Sequence, residues 1–222
     1  MITATVQAEQ RPLSSQDRFA TKIYRAGETI FTPNSGHNRL FIVRSGWVSI
    51  SKSLPDGRLI TLALLGPNSV FLQDDVSPRG SAGSHAESLV DATVVEAGLD
   101  AAGELLADSP QLAAAMISGL NRRITVLHSL VDQVLRRDTT LRLASTLVTL
   151  AHAVGEPTAD GFVRLTVPLT HHTLANMIGS NRVTVTRKLR ELQDQSLVGS
   201  AGRNALLIHP ERLQAFVDAA DQ

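Results

Sequence analysis

Four cations fall within nine consecutive residues: Arg182, Arg187, Lys188 and Arg190, with no carboxylate among them before Glu191. The whole chain carries 21 basic and 21 acidic residues and a net charge of zero, so this is a local concentration in an otherwise balanced protein. Arginine presents a planar fork of donors that matches guanine O6 and N7, and lysine presents a point charge suited to phosphate. The chemistry this implies is recognition of a nucleic-acid duplex. Bond-making chemistry has little to draw on. The chain has no cysteine, which excludes disulfides, cysteine-held zinc, iron–sulfur clusters and thiol nucleophiles. It has neither a GxSxG elbow nor a GxxxxGK[ST] phosphate loop. A jelly-roll metal enzyme is the competing reading, and it needs a clustered histidine–carboxylate set; the first hundred residues offer His37 and His85, without an HxH pair. Haem would need an axial ligand, for which His37, His85 and His128 qualify by type alone. The expectation is a binding protein, not an enzyme, with no cofactor and no metal.

The cationic run needs a scaffold, and the stretch LTHHTLANMIGSNRVTVTRKLRELQDQSLV (169–198) supplies one. Leu174, Met177 and Ile178 make one short apolar helix face, Gly179 permits a tight turn, and Val183, Val185, Leu189 and Leu192 mark a second helix starting near Ser180 or Asn181. Two short helices joined by a glycine-containing turn form a helix-turn-helix, whose second helix here is the basic one. GSAGRNALLIHP (199–210) then reads as a hairpin with Gly202 at its tip and Arg203 exposed, a wing able to touch a DNA backbone. Upstream, Asp138 is placed to cap a helix over 139–153, residues 154–161 read as a loop, and 162–167 as a short strand. A regulatory module acting on a protein through a degenerate helix-turn-helix remains as a third reading, opposed by the basic second helix.

Further upstream the chain changes texture. Ser109-Pro110 is a helix start, and no proline occurs from there to Arg137. Ala113, Ile117, Leu120, Ile124, Leu127, Val131 and Val134 alternate at spacings of four and three, the pattern of a coiled-coil seam. Leu112, Met116, Arg123, Val126 and Leu130 form a second stripe. A helix with two stripes can pack on its own domain and on a second copy of the chain. Before residue 100, short apolar runs alternate with turns. Residues 39–52 are strand-like and interrupted at Ser45-Gly46, Pro55-Asp56-Gly57 is a turn, 58–71 form a strand ended by Gly66-Pro67, and 87–99 form another. Short strands at this spacing suggest an antiparallel sandwich or jelly roll. At 222 residues, 43% apolar and 19% charged, the composition is that of a folded globular chain. No apolar run is long enough to span a membrane, and the first nineteen residues lack a basic segment followed by an apolar one, so a cytoplasmic protein is expected.

The order of roll, long helix and winged helix-turn-helix resembles the cyclic-AMP receptor protein and FNR (CRP/FNR) family of bacterial transcription regulators, from about residue 21 to 210. Gly27-Glu28, Gly46, Gly57 and Gly66 sit where that family has turn glycines in its roll. SNRVTVTRKLREL (180–192) and NSVF (68–71) are most similar to the cyanobacterial nitrogen-control branch. The resemblance implies an α+β fold: a tail (1–20), an antiparallel jelly-roll sensor (21–106), a dimerisation helix (107–137) and a winged helix-turn-helix (138–222). It implies a homodimer sealed through Ile117, Leu120, Ile124, Leu127, Val131 and Val134. It implies double-stranded DNA as partner, read at an inverted repeat related to GTA…TAC, with Arg182, Val183 and Arg187 facing base edges. Thr184 and Thr186 would contact phosphate or a thymine methyl. Ser180, Asn181, His171, Lys188 and Arg203 would serve the backbone, His171 and His172 either there or not at all. RNA polymerase would meet loop 154–161, through Glu156 or Asp160.

For the sensor, the resemblance points to Phe71, Leu72, Gln73, Arg79, Arg123 and His128 as effector-facing positions. Leu72-Gln73 stands where cyclic-nucleotide binders have a glycine–glutamate pair, Asp74-Asp75 follows, and Gly80-Ser81 replaces the arginine–serine pair, with Arg79 nearby. An acidic pair beside an anion pocket disfavours a cyclic phosphate. Arg123 matches an arginine that holds 2-oxoglutarate in the nitrogen-control branch, while His128 stands where that branch has glutamate. A 2-oxoglutarate-like effector is thus favoured over cyclic AMP, a salt-bridging Arg123 weighs equally, and an effector-independent regulator is the alternative.

Overall fold

The structure is a computed structural model, and it describes residues 19–33, 39–73, 84–111, 113–114, 116–118, 121, 124, 138–158, 160–202 and 205–220. Eight strands build the first half: β1 (Phe19–Tyr24), β2 (Thr29–Phe31), β3 (Arg39–Ser45), β4 (Val48–Ser53), β5 (Leu59–Leu65), β6 (Val70–Leu72), β7 (Ser84–Ser88) and β8 (Ala92–Gly98). They form two antiparallel four-stranded sheets, ordered β1-β8-β3-β6 and β2-β7-β4-β5. The inner faces enclose Phe31, Phe41, Val43, Val48, Ile50, Leu65, Phe71 and Val94. Phe41 stacks on Phe71 with ring centroids 5.0 Å apart, and Phe31 closes the aromatic group. The expected break at Ser45-Gly46 is there: Gly46 has φ +81°, and a Cβ would lie 2.5 Å from the Asp91 carbonyl oxygen, so only glycine fits this crossing.

Three details differ from the sequence reading. The run 87–99 is not one strand, because the chain turns at 89–91 and β7 and β8 lie in different sheets. The roll also begins with β1 and β2, where no strand was expected. A helix α1 (Leu99–Asp108) precedes the long helix and straddles the expected boundary at 106/107. Helical backbone resumes at Pro110, and the described residues up to Ile124 are helical. Met116 packs on Leu40, Ile42, Val70 and Ala97, the outer face of the first sheet. Met116 of the second stripe therefore lies on the roll, while Ile117 and Ile124 on the seam are 60% and 48% exposed. Leu120, Leu127, Val131 and Val134 lie outside the described residues.

The remainder is a winged helix. It comprises α2 (Thr139–Val154), β9 (Gly155–Pro157), β10 (Val163–Leu165), α3 (His171–Met177), α4 (Arg182–Asp194), β11 (Val198–Ser200), β12 (Leu206–Ile208) and α5 (Pro210–Ala220). The sheet order is β11-β12-β10-β9, so the expected loop at 154–161 contains a strand: Gly155–Pro157 pairs with β10. α5 was not anticipated; it lays Leu213 and Val217 onto the same core as Leu143, Leu147, Leu174, Leu189 and Leu192. Trp47, Leu64 and Leu89 of the roll also pack against this core. Asp138 caps α2 as expected, its carboxylate accepting from the Thr140 and Leu141 amides. Burial alone would raise its pKa, but these hydrogen bonds outweigh burial and hold the carboxyl below the usual range. A depressed native-state value means the cap stabilises above the unfolded pKa and is lost as pH falls through the folded one. Asp138→Ala is expected to cost about 1 kcal/mol at neutral pH. The difference from the parent should shrink in urea melts as acid protonates the parent's carboxyl.

Candidate nucleic-acid interface

α3, a turn and α4 hold the basic residues. Thr170 caps α3 through its hydroxyl, which accepts from the Thr173 amide at 3.0 Å. Gly179 takes φ +61° and reverses the chain, and the Ser180 amide is spent on the Ala175 carbonyl at 2.9 Å. Asn181, not Ser180, caps α4, its Oδ1 accepting from the Thr184 amide at 2.8 Å. Val185, Leu189 and Leu192 bury one face of α4 in the core. The opposite face is open: Arg182, Val183, Thr186, Arg187, Arg190, Glu191 and Asp194 line a shallow depression along it. Val183 is 78% exposed, an apolar side chain in water among arginines. An apolar group set between arginines gives this face both an apolar and a hydrogen-bonding contact of the kind base edges offer.

The cations divide by environment. Arg182 is exposed at the first turn. Arg187 reaches Glu191 only at 3.9 Å and stays largely exposed. Lys188 is mostly buried and paired to Glu191 at 2.7 Å, and its charge also favours the Asp138 carboxylate, so it turns toward the scaffold and away from the open face. Arg190, counted in the sequence as charge but given no role, lies on the open face. His171 is tied to Thr186: Nδ1 and Oγ1 are 2.7 Å apart. His172 Nε2 lies 3.3 Å from Asn176 Nδ2 on its own helix. The wing forms as expected, Val198–Ser200 pairing with Leu206–Ile208 and Gly202 at φ +105°; Arg203 lies outside the described residues.

Two family models divide the chain along the same lines, a cyclic nucleotide-binding domain at residues 21–109 and a Crp-like helix-turn-helix domain at 141–216. The global nitrogen regulator of Synechococcus elongatus is 32% identical over 195 residues, 87% of this chain and 84% of that one. The chain belongs to the CRP/FNR family of transcription regulators. Another relative in this family is the CRP-like cAMP-activated global transcriptional regulator of Mycobacterium tuberculosis, 28% identical over 84% of this chain and 83% of its own. Among solved structures, a CooA variant from Carboxydothermus hydrogenoformans superposes with a TM-score of 0.76 at 22% identity, covering 90% of this chain and 88% of that one. That likeness concerns the fold. These relatives and the helix-turn-helix model make the chain a DNA-binding transcription regulator of the CRP/FNR type. The relatives are regulators rather than enzymes.

The family's sensor positions are only partly described. Phe71 belongs to the aromatic core, Leu72 lies on the outer sheet face with Met116, and Gln73 is buried, its amide donating to the Arg39 carbonyl at 2.9 Å. Arg79, Arg123 and His128 lie outside the described residues, as does His37, while His85 sits in β7 opposite Ser51. No local pattern announces the buried charge cluster in the roll. Glu96 is 1% exposed and accepts from the Tyr24 hydroxyl, from Arg39 Nη1 at 3.1 Å and from Lys22 Nζ at 3.0 Å. Burial, and after it the bond to Glu96, push the Tyr24 phenol up. Among the described residues no helix is long and apolar enough to cross a membrane.

Proposed function

We propose that two copies of this chain bind an inverted repeat related to GTA…TAC, each inserting α4 in the major groove of one half-site. The observation that carries this reading is the open face of α4, where Val183 stands exposed beside Arg182 and Arg187. Arginines there reach guanine, Val183 and Thr186 lie beside them, and Ser180, Asn181 and Arg203 flank the backbone. Dimerisation is supported by Ile117 and Ile124, seven residues apart on the seam and uncovered in the single chain. A two-fold dimer sets the two half-sites about 34 Å apart. The protein acts in the cytoplasm, on DNA and without catalysis, and Glu156 and Asp160 on the exposed β9–β10 edge face RNA polymerase. Glu156 is held at 3.0 Å by Arg164 across that edge, which fixes its carboxylate at the surface. If this contact operates, Glu156→Ala and Asp160→Ala lower transcription from a bound promoter; wild-type output from both removes it.

In the sensor, Leu72-Gln73 in place of a glycine–glutamate pair speaks against cyclic AMP, and the position of Arg123 in the sequence favours a dicarboxylate such as 2-oxoglutarate. An effector-independent regulator is the second reading, favoured by Phe71 filling the roll interior against Phe41. The test is fluorescence anisotropy of a GTA…TAC duplex at two salt concentrations, with 2-oxoglutarate, with cyclic AMP and with neither. Preference over a scrambled duplex by about 10³ or more establishes sequence-specific binding. Dependence on one compound names the effector class, and tight binding with neither supports the second reading. No preference over the scrambled duplex in any arm rejects this half-site.

A further inference from the structure

We infer that Thr186 is a specificity-determining residue that reads a thymine through its methyl group, and that His171 is the positioning residue that holds it in that orientation. The inference rests on the reading of α4 as the base-reading helix and goes on to say which atoms of one side chain do the reading. A threonine offers two different groups from one Cβ, a hydroxyl and a methyl, and which of them faces outward depends on χ1. In this chain the hydroxyl is committed twice. Thr186 Oγ1 lies 2.9 Å from the Arg182 carbonyl oxygen one turn back, and 2.7 Å from His171 Nδ1 on α3. A carbonyl only accepts, and a hydroxyl has one proton. Both contacts are therefore made when Thr186 donates to Arg182 and His171 donates from Nδ1–H to Thr186. That assignment fixes the imidazole tautomer and turns Oγ1 toward the scaffold.

Thr186 nevertheless lines the open face, with Val183 one turn before it and Arg187 beside it. With its oxygen engaged on the other side, the group it can offer a base edge is Cγ2. A methyl in the major groove meets one complementary apolar group there, the C5 methyl of thymine. His171 does not touch the base; it acts through Thr186, and its Nδ1 is unavailable to phosphate while the bond lasts. The two histidines opening α3 thus differ: His171 bridges to the recognition helix, whereas the ring contact of His172 stays on its own helix.

The experiment uses the full chain and the duplex it selects from a random pool. Each thymine of one half-site is replaced in turn by deoxyuridine, which removes the C5 methyl and leaves every hydrogen bond. For the parent protein we expect one position to lose about fourfold in affinity, the value of one buried methyl. Thr186→Ser keeps the hydroxyl relay and loses the methyl, so the penalty at that position should vanish. Thr186→Val keeps the methyl and loses the relay, so the penalty should persist. His171→Leu frees the Thr186 rotamer and should shrink the penalty, while His171→Asn, which returns an N–H donor near the Nδ1 position, should restore it. A general loss of structure would not follow this pattern of single-methyl penalties. The inference is overturned if the parent shows no deoxyuridine penalty, or if Thr186→Ser keeps it at every thymine, which assigns methyl reading to Val183 alone. Failure to select any duplex is a different result: it overturns the reading of α4 as the base-reading helix, and this inference with it.

Discussion

Arg182→Ala and Arg187→Ala are each expected to weaken binding to the selected duplex by about 1–3 kcal/mol, roughly five- to 150-fold, and to relax discrimination at the base each side chain faces. The structure separates this loss from any damage to the fold. Arg182 is the first residue of α4, where the helix dipole is positive and a cation is unfavourable by about 0.3–1 kcal/mol. The helix is better off without it, so Arg182→Ala should melt at or slightly above the parent temperature. Arg187 is likewise dispensable to the scaffold, since among the described residues it pairs only with the half-exposed Glu191, at 3.9 Å. Lys188→Ala provides the contrast. Its ammonium is paired at 2.7 Å with Glu191 and helps hold Asp138 charged, so its removal should lower stability while leaving base preference intact. The decisive measurement pairs anisotropy titration with a thermal melt of each variant. Parent-like affinity in both arginine variants removes α4 as the reading helix.

What the sequence made legible here was local. The glycine turn, the Asn181 cap, the buried spacing of Val185, Leu189 and Leu192, and the Asp138 cap all depend on residues within a few positions of one another. The signal for α5 was also local and present, with Pro210 in the first turn and Leu213 and Val217 four residues apart on one face. What escaped depends on distant partners. Residues 87–99 look continuous because nothing nearby shows that β7 and β8 must join different sheets. In β1, Lys22 and Tyr24 share the inward face, so polar residues hide the alternation. Thr186 meets His171 across 15 residues, and no pattern in either helix announces the pair. Glu96 reads as a surface carboxylate in a strand until residues 57 and 72 positions away arrive beside it.

That cluster sets the second large effect. Glu96→Ala is expected to destabilise the roll by about 3–5 kcal/mol, the range for removing one partner of a buried ion pair. Both carboxylate oxygens are in use: Oε1 accepts from Tyr24, and Oε2 from Lys22 and Arg39. Removing them strands a mostly buried guanidinium and a buried phenol, whereas the half-exposed Lys22 can turn to water. Glu96→Gln, which keeps acceptor and donor groups of the same shape, should cost less than Glu96→Ala. The sharper test is the pair. If the loss comes from stranding Arg39 rather than from a missing attraction, then Arg39→Met combined with Glu96→Leu should recover most of the stability lost in Glu96→Ala, because no buried cation remains. Chemical denaturation of Glu96→Ala, of Arg39→Met and Glu96→Leu singly, and of their double mutant decides it. Strict additivity of the single changes would show that the two groups are not coupled and that the cluster contributes by packing alone. Because Glu96 lies in the first sheet of the roll and α4 at the far end of the chain, the surviving folded fraction of each variant should bind DNA with the parent's base preference.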